Sequence, residues 1–145
     1  MAQDITSANA AIVITCPGVL IAPSQLQGFA ADDIFDVDPL EIAETMMGVD
    51  GYLSAGVVFN PVVQSYTLMA GSPSTPVFDQ IYTQSRSNEA IYFIQASVKL
   101  LSIGMKYNLI NGVLVTYPPI PSAKKLLQPR KFTIRWESVV PVATV

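Results

Sequence analysis

Apolar and polar positions alternate with a period of two along most of this chain, the pattern of strands that rest one face on a core. The clearest run is Lys131–Val140, where Phe132, Ile134 and Trp136 fall on one side and Lys131, Thr133, Arg135 and Glu137 on the other. In 90–101, Tyr92, Ile94, Ala96, Val98 and Leu100 share a face opposite Gln95, Ser97 and Lys99. Residues 52–59 and 62–69, rich in Val, Tyr, Phe and Thr, predict strands on either side of Asn60-Pro61. Near the start, 10–15 and 19–22 predict two strands around Cys16-Pro17-Gly18-Val19, where Pro second and Gly third suit a type II turn. Phe35 and Val37 alternate with Ile34, Asp36 and Asp38; after Pro39, Leu40 and Ile42 alternate with Glu41, the proline shifting the phase as at an edge or bulge. Asn111-Gly112, between 105–110 and 113–117, predicts a two-residue hairpin turn.

One segment breaks the period. Thr75 is placed to cap a helix, Pro76 suits its first position, and Val77, Phe78, Ile81 and Tyr82 then form a stripe at helical spacing. This predicts one short amphipathic helix over about residues 75–86 that plugs an opening of a β structure. The run 118–130 carries Pro118, Pro119, Pro121 and Pro129 and predicts a loop that crosses the fold. The expected fold is mainly β: a single domain over 1–145, a sandwich or barrel of about eight to ten strands with one flanking helix. Its core is expected to include Phe78, Ile81, Phe132, Ile134 and Trp136.

Composition changes the picture in one respect. Half of the 145 residues are apolar and only 13% are charged, with a mean hydropathy of +0.41. A small domain so constituted leaves apolar surface wet unless other copies or partners cover it. There is no His, which removes the commonest acid/base group and metal ligand. Cys16 is the sole cysteine, so no disulfide framework forms within one chain. These facts argue against most enzymes, and neither a metal nor a cofactor is expected. The charge-free stretches 5–31 and 51–78 are interrupted by Ser, Asn, Pro, Gly and Gln, and neither approaches the ~18 consecutive apolar residues of a membrane span. Asp4, with no basic residue before the apolar segment, argues against a secretory signal.

Charge is divided along the chain. Residues 1–85 carry nine acids and no Lys or Arg, and residues 86–145 carry eight bases and two acids, for a net charge of −3. The halves could pair within one monomer, or the basic face of one copy could meet the acidic face of the next in a head-to-tail contact that closes a ring. An overall pI near 4.7 makes nucleic-acid binding by the whole surface an unfavoured reading. The basic cluster Lys124, Lys125, Arg130, Lys131 and Arg135 lies near Phe132 and Trp136, but those aromatics fall in the opposite phase and belong to a core rather than to stacked bases.

Catalytic patterns are imitated without being completed. Gly51-Tyr52-Leu53-Ser54-Ala55-Gly56 approaches a nucleophile elbow but has two residues before the Ser, and no His to serve as base. The carboxylates Asp32, Asp33, Asp36, Asp38, Glu41 and Glu44 lack the spacing and central Gly of a calcium loop. They are expected to form a solvated or lumen-facing acidic wall.

Several phrases, taken in order, carry a resemblance. Gly51-Tyr52-Leu53-Ser54-Ala55-Gly56 is followed by Ser72-Pro73-Ser74 opening a helix with Phe78, then by Gly112-Val113-Leu114 with Tyr117-Pro118-Pro119. Lys124-Lys125, Leu127-Gln128-Pro129-Arg130 and Phe132-Thr133-Ile134-Arg135-Trp136-Glu137 complete the series. Over roughly residues 40–140 the chain resembles the tail tube proteins of contractile-tailed bacteriophages; residues 1–30 lie outside the resemblance. The resemblance implies a β-sandwich or barrel assembled as hexameric rings stacked into a hollow tube, with no catalysis. It further implies a tail sheath protein outside, a tape-measure protein within, a baseplate hub and a tail terminator at the ends, and genomic DNA in transit. Location would be the virion tail, after synthesis in the host bacterial cytoplasm, with no membrane involved. A hairpin that reaches the neighbouring ring is typical of the family, and 46–59, with Asp50-Gly51 as its turn, is the candidate here. Asp50, Gly51, Tyr52, Leu53, Lys124, Lys125 and Arg130 are the expected inter-subunit residues. Two alternatives stay open: another ring component (a terminator, a neck protein or a secretion-system tube), and a small β-barrel that carries an apolar ligand.

Overall fold

In a computed structural model, which describes residues 10–20, 22–29 and 34–143, the period-two segments become nine strands among the described residues. They are β1 (Ala10–Thr15), β2 (Ser24–Gln25), β3 (Phe35–Val37), β4 (Ala43–Met47), β5 (Leu53–Val57), β6 (Val62–Leu68), β7 (Ile94–Leu100), β8 (Met105–Thr116) and β9 (Arg130–Ala143), with α1 (Thr75–Asn88) between β6 and β7. Seven strands form one antiparallel sheet in the order β2-β1-β7-β8-β9-β6-β3, curled into a half-barrel; β4 and β5 form a separate two-stranded hairpin. The segment after β2 turns away from β1 and reaches the other side of the sheet, where Phe29 bridges Leu68 and Met69 N–H donates to Gly28 O at 2.8 Å.

Alternation decides which side chains enter the core. Phe132, Ile134 and Trp136 of β9 are fully buried, as are Tyr66 and Leu68 of β6. The helix lies on them: Phe78 and Ile81 are buried, and the Phe78 ring stacks on Phe132 with centroids 4.3 Å apart. Gln64 is a polar side chain set within this core. Gln64 Oε1 accepts hydrogen bonds from Trp136 Nε1 at 2.9 Å and from the Tyr66 hydroxyl at 2.6 Å, so that both buried donors are satisfied. Burial raises the Tyr66 pKa well above the ordinary tyrosine value, against a smaller lowering by Gln64.

Five details differ from the sequence reading. Asn111-Gly112 is not a turn, because β8 runs through it. Asn111 adopts φ +50° at a bulge, donating from Nδ2 to Glu137 Oε2 and accepting from Gln95 Nε2, both at 2.6 Å, so the two flanking strands hold the bend. Gly112 provides space: a Cβ there would lie 2.4 Å from the Trp136 ring. The turn at 16–19 forms, with Gly18 at φ +89° and Val19 N–H on Cys16 O at 3.1 Å, but its second strand is delayed to Ser24. Cys16 O also binds Leu20 N–H, at 2.9 Å, and Pro23 has no N–H to offer a ladder. The strand expected at 40–42 begins instead at Ala43, since β5 extends opposite it only to Val57.

The 118–130 run does not cross the fold. It joins two adjacent antiparallel strands and folds on itself, with an Ala123–Leu127 bridge and Gln128 N–H on Ser122 O at 2.8 Å. The helix begins at Thr75, but its cap is Ser74, one residue before the Thr75 expected in that place. Ser72 and Ser74 pin it: Gln27 N–H donates to Ser74 Oγ at 2.7 Å, and Ser72 Oγ donates to Gln27 O. Gly28, at φ +72°, is the residue that lets Ser72 approach.

Trp136→Ala is expected to cost about 3–5 kcal/mol in denaturant unfolding, the range for emptying a large aromatic site. Tyr66 supplies a pH signature. Its folded pKa is raised, so its contribution is complete below the ordinary value near 10 and is lost as pH climbs above it. Stability should fall less steeply above about pH 10 in Tyr66→Phe than in the wild type; equal slopes would contradict the assignment.

Candidate assembly surfaces

The β4–β5 hairpin presents the largest concentration of exposed apolar side chains. All ten residues of its two strands are exposed. Its turn is set by Gly51 at φ +90°, by Gly48 N–H on Tyr52 O at 2.9 Å and by Tyr52 N–H on Asp50 Oδ1 at 3.2 Å. Register sorts the side chains. Ala43 faces Val57, Thr45 faces Ala55 and Met47 faces Leu53, which puts these six on one side, while Glu44, Met46, Ser54 and Gly56 occupy the other. The first side is apolar and uncovered, with Met47 64%, Leu53 61% and Val57 76% exposed. Val49 is exposed at the tip and Phe59 at the foot, and by the same alternation Ile42, Met46 and Tyr52 are exposed on the other side, beside Glu44. A lone two-stranded hairpin in water is marginal at best.

A second exposed region is the loop between β8 and β9. Ile120, Leu126 and Leu127 project into solvent beside Lys124 and Lys125, both exposed. Arg130, expected with them at a subunit contact, is inside the monomer: it is 6% exposed, pairs with Asp79 Oδ1 at 3.0 Å and donates to Pro118 O at 2.7 Å. Its guanidinium lies over the rings of Tyr117 and Phe132, 5.5 and 5.1 Å from their centroids. The Tyr117 hydroxyl also binds Asp79, and the Tyr117 ring stacks on Tyr82 at 4.4 Å. Burial, then the Asp79 carboxylate, raises the Tyr117 pKa. This cluster clamps α1 to the start of β9.

The described carboxylates of the acidic segment stand at different places on the monomer. Asp36 points to the side of β3 opposite Phe35 and Val37, in register with Ser65, whose Oγ lies 3.2 Å from Thr133 Oγ1. Asp38 borders a groove, and Glu41 and Glu44 belong to the foot and outer side of the hairpin. All four are exposed. Asp32 and Asp33 lie outside the described residues. The groove, of about 460 Å³, opens on the concave face where the helix does not reach; Phe35, Val37, Leu40, Val62, Leu109 and Val139 line it, with Gln64. Sequence reasoning missed Gln64, although its place in phase with Val62, Tyr66 and Leu68 marks it as a polar residue on the buried side. Among the described residues no three His, Cys, Asp or Glu side chains are grouped to hold a metal ion, and no helix is long and apolar enough to cross a membrane.

Residues 3–140 match the family model described as tail fiber protein gp32. The chain belongs to that family. The tail-protein resemblance read from the sequence agrees with this membership. No curated protein matches. Among solved structures, a chain of the anti-feeding prophage baseplate, 6-fold symmetrised, superposes with a TM-score of 0.60 at 15% identity, over 99% of this chain and 98% of that one. A chain of the tube-terminating cap of the same prophage gives 0.61 at 9% identity, over 99% and 94%. A chain of the PVC sheath-tube complex, from an extracellular contractile injection system in its extended state, gives 0.55 at 11% identity, over 92% and 88%. At these identities the likeness is one of fold, the mainly β half-barrel with a single helix.

Asp79→Asn leaves the Arg130 guanidinium short of its charged acceptor in a nearly water-free position. A loss of about 1–3 kcal/mol in thermal or denaturant unfolding is expected, with a helix that exchanges its amide hydrogens faster than in the wild type.

Proposed function

We propose that this chain is a structural subunit of a contractile tail, forming hexameric rings that stack as the inner tube through which DNA passes. The observation that carries this reading is the uncovered apolar side of the β4–β5 hairpin, which a solitary monomer has no means of burying. The fold supports it, being shared with chains from a six-fold baseplate, a tube-terminating cap and a sheath-tube complex. In this reading the hairpin over 46–59 reaches the adjacent ring. Asp32, Asp33, Asp36, Asp38, Glu41 and Glu44 come together only in the assembly, as an acidic lumen built from six copies. Duplex DNA carries one negative charge per about 1.7 Å, so an acidic wall lets it slide where a basic one would hold it. A sheath, a tape-measure protein, a hub and a terminator would be its neighbours in the virion, and no catalytic step is assigned to it.

A second reading is favoured by the similarity to chains from a cap and from a sheath/tube terminator in its extended state. Here the same subunit forms one ring that starts or ends a tube.

Expressed alone and concentrated, the protein should sediment as particles many times 15.6 kDa and give rings or tubes by electron microscopy. Growth without limit supports the tube, and arrest at one ring the terminal role. A monomer at millimolar concentration would overturn both and leave the groove as an apolar ligand site. A cryo-EM map with Asp36 and Asp38 on the outer wall would overturn the lumen assignment.

A further inference from the structure

Two exposed segments of this chain match each other in chemistry. Residues 40–60 contain three acids, Glu41, Glu44 and Asp50, and no base. Residues 117–129 contain two bases, Lys124 and Lys125, and no acid. Both expose large apolar side chains: Met47 and Leu53 on the hairpin, Ile120 at 76% and Leu126 at 78% on the loop. Charge distinguishes the hairpin's two sides: Met46 is exposed beside Glu44 on one, whereas the side of Met47, Leu53 and Val57 carries no charge, so covering that uncharged side leaves Glu44 free, while Asp50 lies at the tip.

Resting on the assembly reading above, we propose that the apolar side of the hairpin docks on the Pro118–Pro129 loop of a second copy, with Asp50 facing Lys124 and Lys125. Apolar contact supplies the area, and the charge pair selects the loop over the groove. The groove is also apolar, but the charge at its rim is Asp38, of the same sign as Asp50. Like charges brought together at an interface are disfavoured, and unlike charges fix register and orientation. Because the two surfaces are different, the contact is head-to-tail, and each copy offers one of each. Arg130 takes no part, being held by Asp79 in its own monomer.

Cysteine pairs read the contact directly, since Cys16 is buried and does not compete. An equimolar mixture of Leu53→Cys and Leu126→Cys chains, oxidised at high concentration, should give a mixed disulfide dimer, while either chain alone should not. Asp50→Lys, and separately Lys124→Asp with Lys125→Asp, should each raise the concentration needed for assembly about tenfold or more. Joining all three changes in one chain should restore it. Circular dichroism should be unchanged in the cysteine chains and in Lys124→Asp with Lys125→Asp, whose altered side chains are exposed; Asp50→Asn, which keeps the Oδ1 acceptor of the Tyr52 N–H, checks that the effect of Asp50→Lys is one of charge and not of the turn. Dimers of Leu53→Cys alone mean that hairpins pair with hairpins, and a disulfide between Leu53→Cys and Val37→Cys chains places the hairpin in the groove; either overturns the proposal. Assembly of the wild type without the mixed disulfide overturns the docking and leaves the assembly reading standing. A wild type that never assembles overturns that reading, and the disulfide mixture still decides the contact.

Discussion

The concave face of seven curled strands is wider than the single helix that lies on it, and the distribution of burial follows from that mismatch. At ~4.8 Å between strands the sheet spans roughly 29 Å across, whereas a helix with its side chains covers a band about 10–12 Å wide. The helix is placed where coverage counts most, over Phe132, Ile134 and the β6 side chains. Two features hold it there, the Ser72 and Ser74 hydrogen bonds at its first turn and the Asp79–Arg130 pair one turn later. What it cannot reach remains open as the groove beside Val62, Leu109 and Val139. The hairpin receives no cover at all.

Much of this was legible in the sequence because one face of each strand is dry. The alternation at 131–140 named the buried side of β9 residue by residue, and the stripe of Phe78 and Ile81 named the buried side of α1. Local signals misled where a neighbouring strand outweighed them. Asn111-Gly112 has the chemistry of a two-residue turn, and the chain uses the same two properties, tolerance of positive φ and absence of a side chain, for a bulge against Gln95 and Glu137 and for clearance of Trp136. Nothing within six residues of that pair could distinguish the two uses, since the deciding partners come from β7 and β9. The prolines of 118–130 forbid a strand but say nothing about which strands the loop connects.

The basic cluster makes the same point for charge. Lys124, Lys125 and Arg130 form one run of cations in the sequence, yet two stand in solvent and the third is nearly dry. The difference is phase. Arg130 begins β9 two residues before Phe132 and so shares its buried side, where an acid on the facing helix is the condition for placing a guanidinium. The planar group suits the place, because it lies flat over Tyr117 and Phe132 while still donating to Asp79 and Pro118, and an ammonium would stack on neither ring. The acids divide likewise: Asp79 belongs to the monomer, whereas Asp36, Asp38, Glu41 and Glu44 have been left at the surface.

That surplus of exposed acid and apolar side chain bears on how strong any single contact can be. Burying Met47, Leu53 and Val57 completely would contribute at most about 1.5–3 kcal/mol each, and each is already part-covered by its hairpin neighbours. Association of two proteins costs about 4–15 kcal/mol in lost freedom. One hairpin on one neighbour therefore falls near the break-even point, and the hairpin's own ordering adds to the cost. A closed ring changes the balance, since the last subunit to join makes two contacts for one loss of freedom, as does a stacked ring in which every subunit is held at several points. In the proposed assembly, contacts of that strength would also keep free monomers from pairing irreversibly through their apolar sides before a ring closed. Low charge, an uncovered hairpin and a shallow groove are thus compatible with solubility as long as no single one of them is sticky enough to act alone.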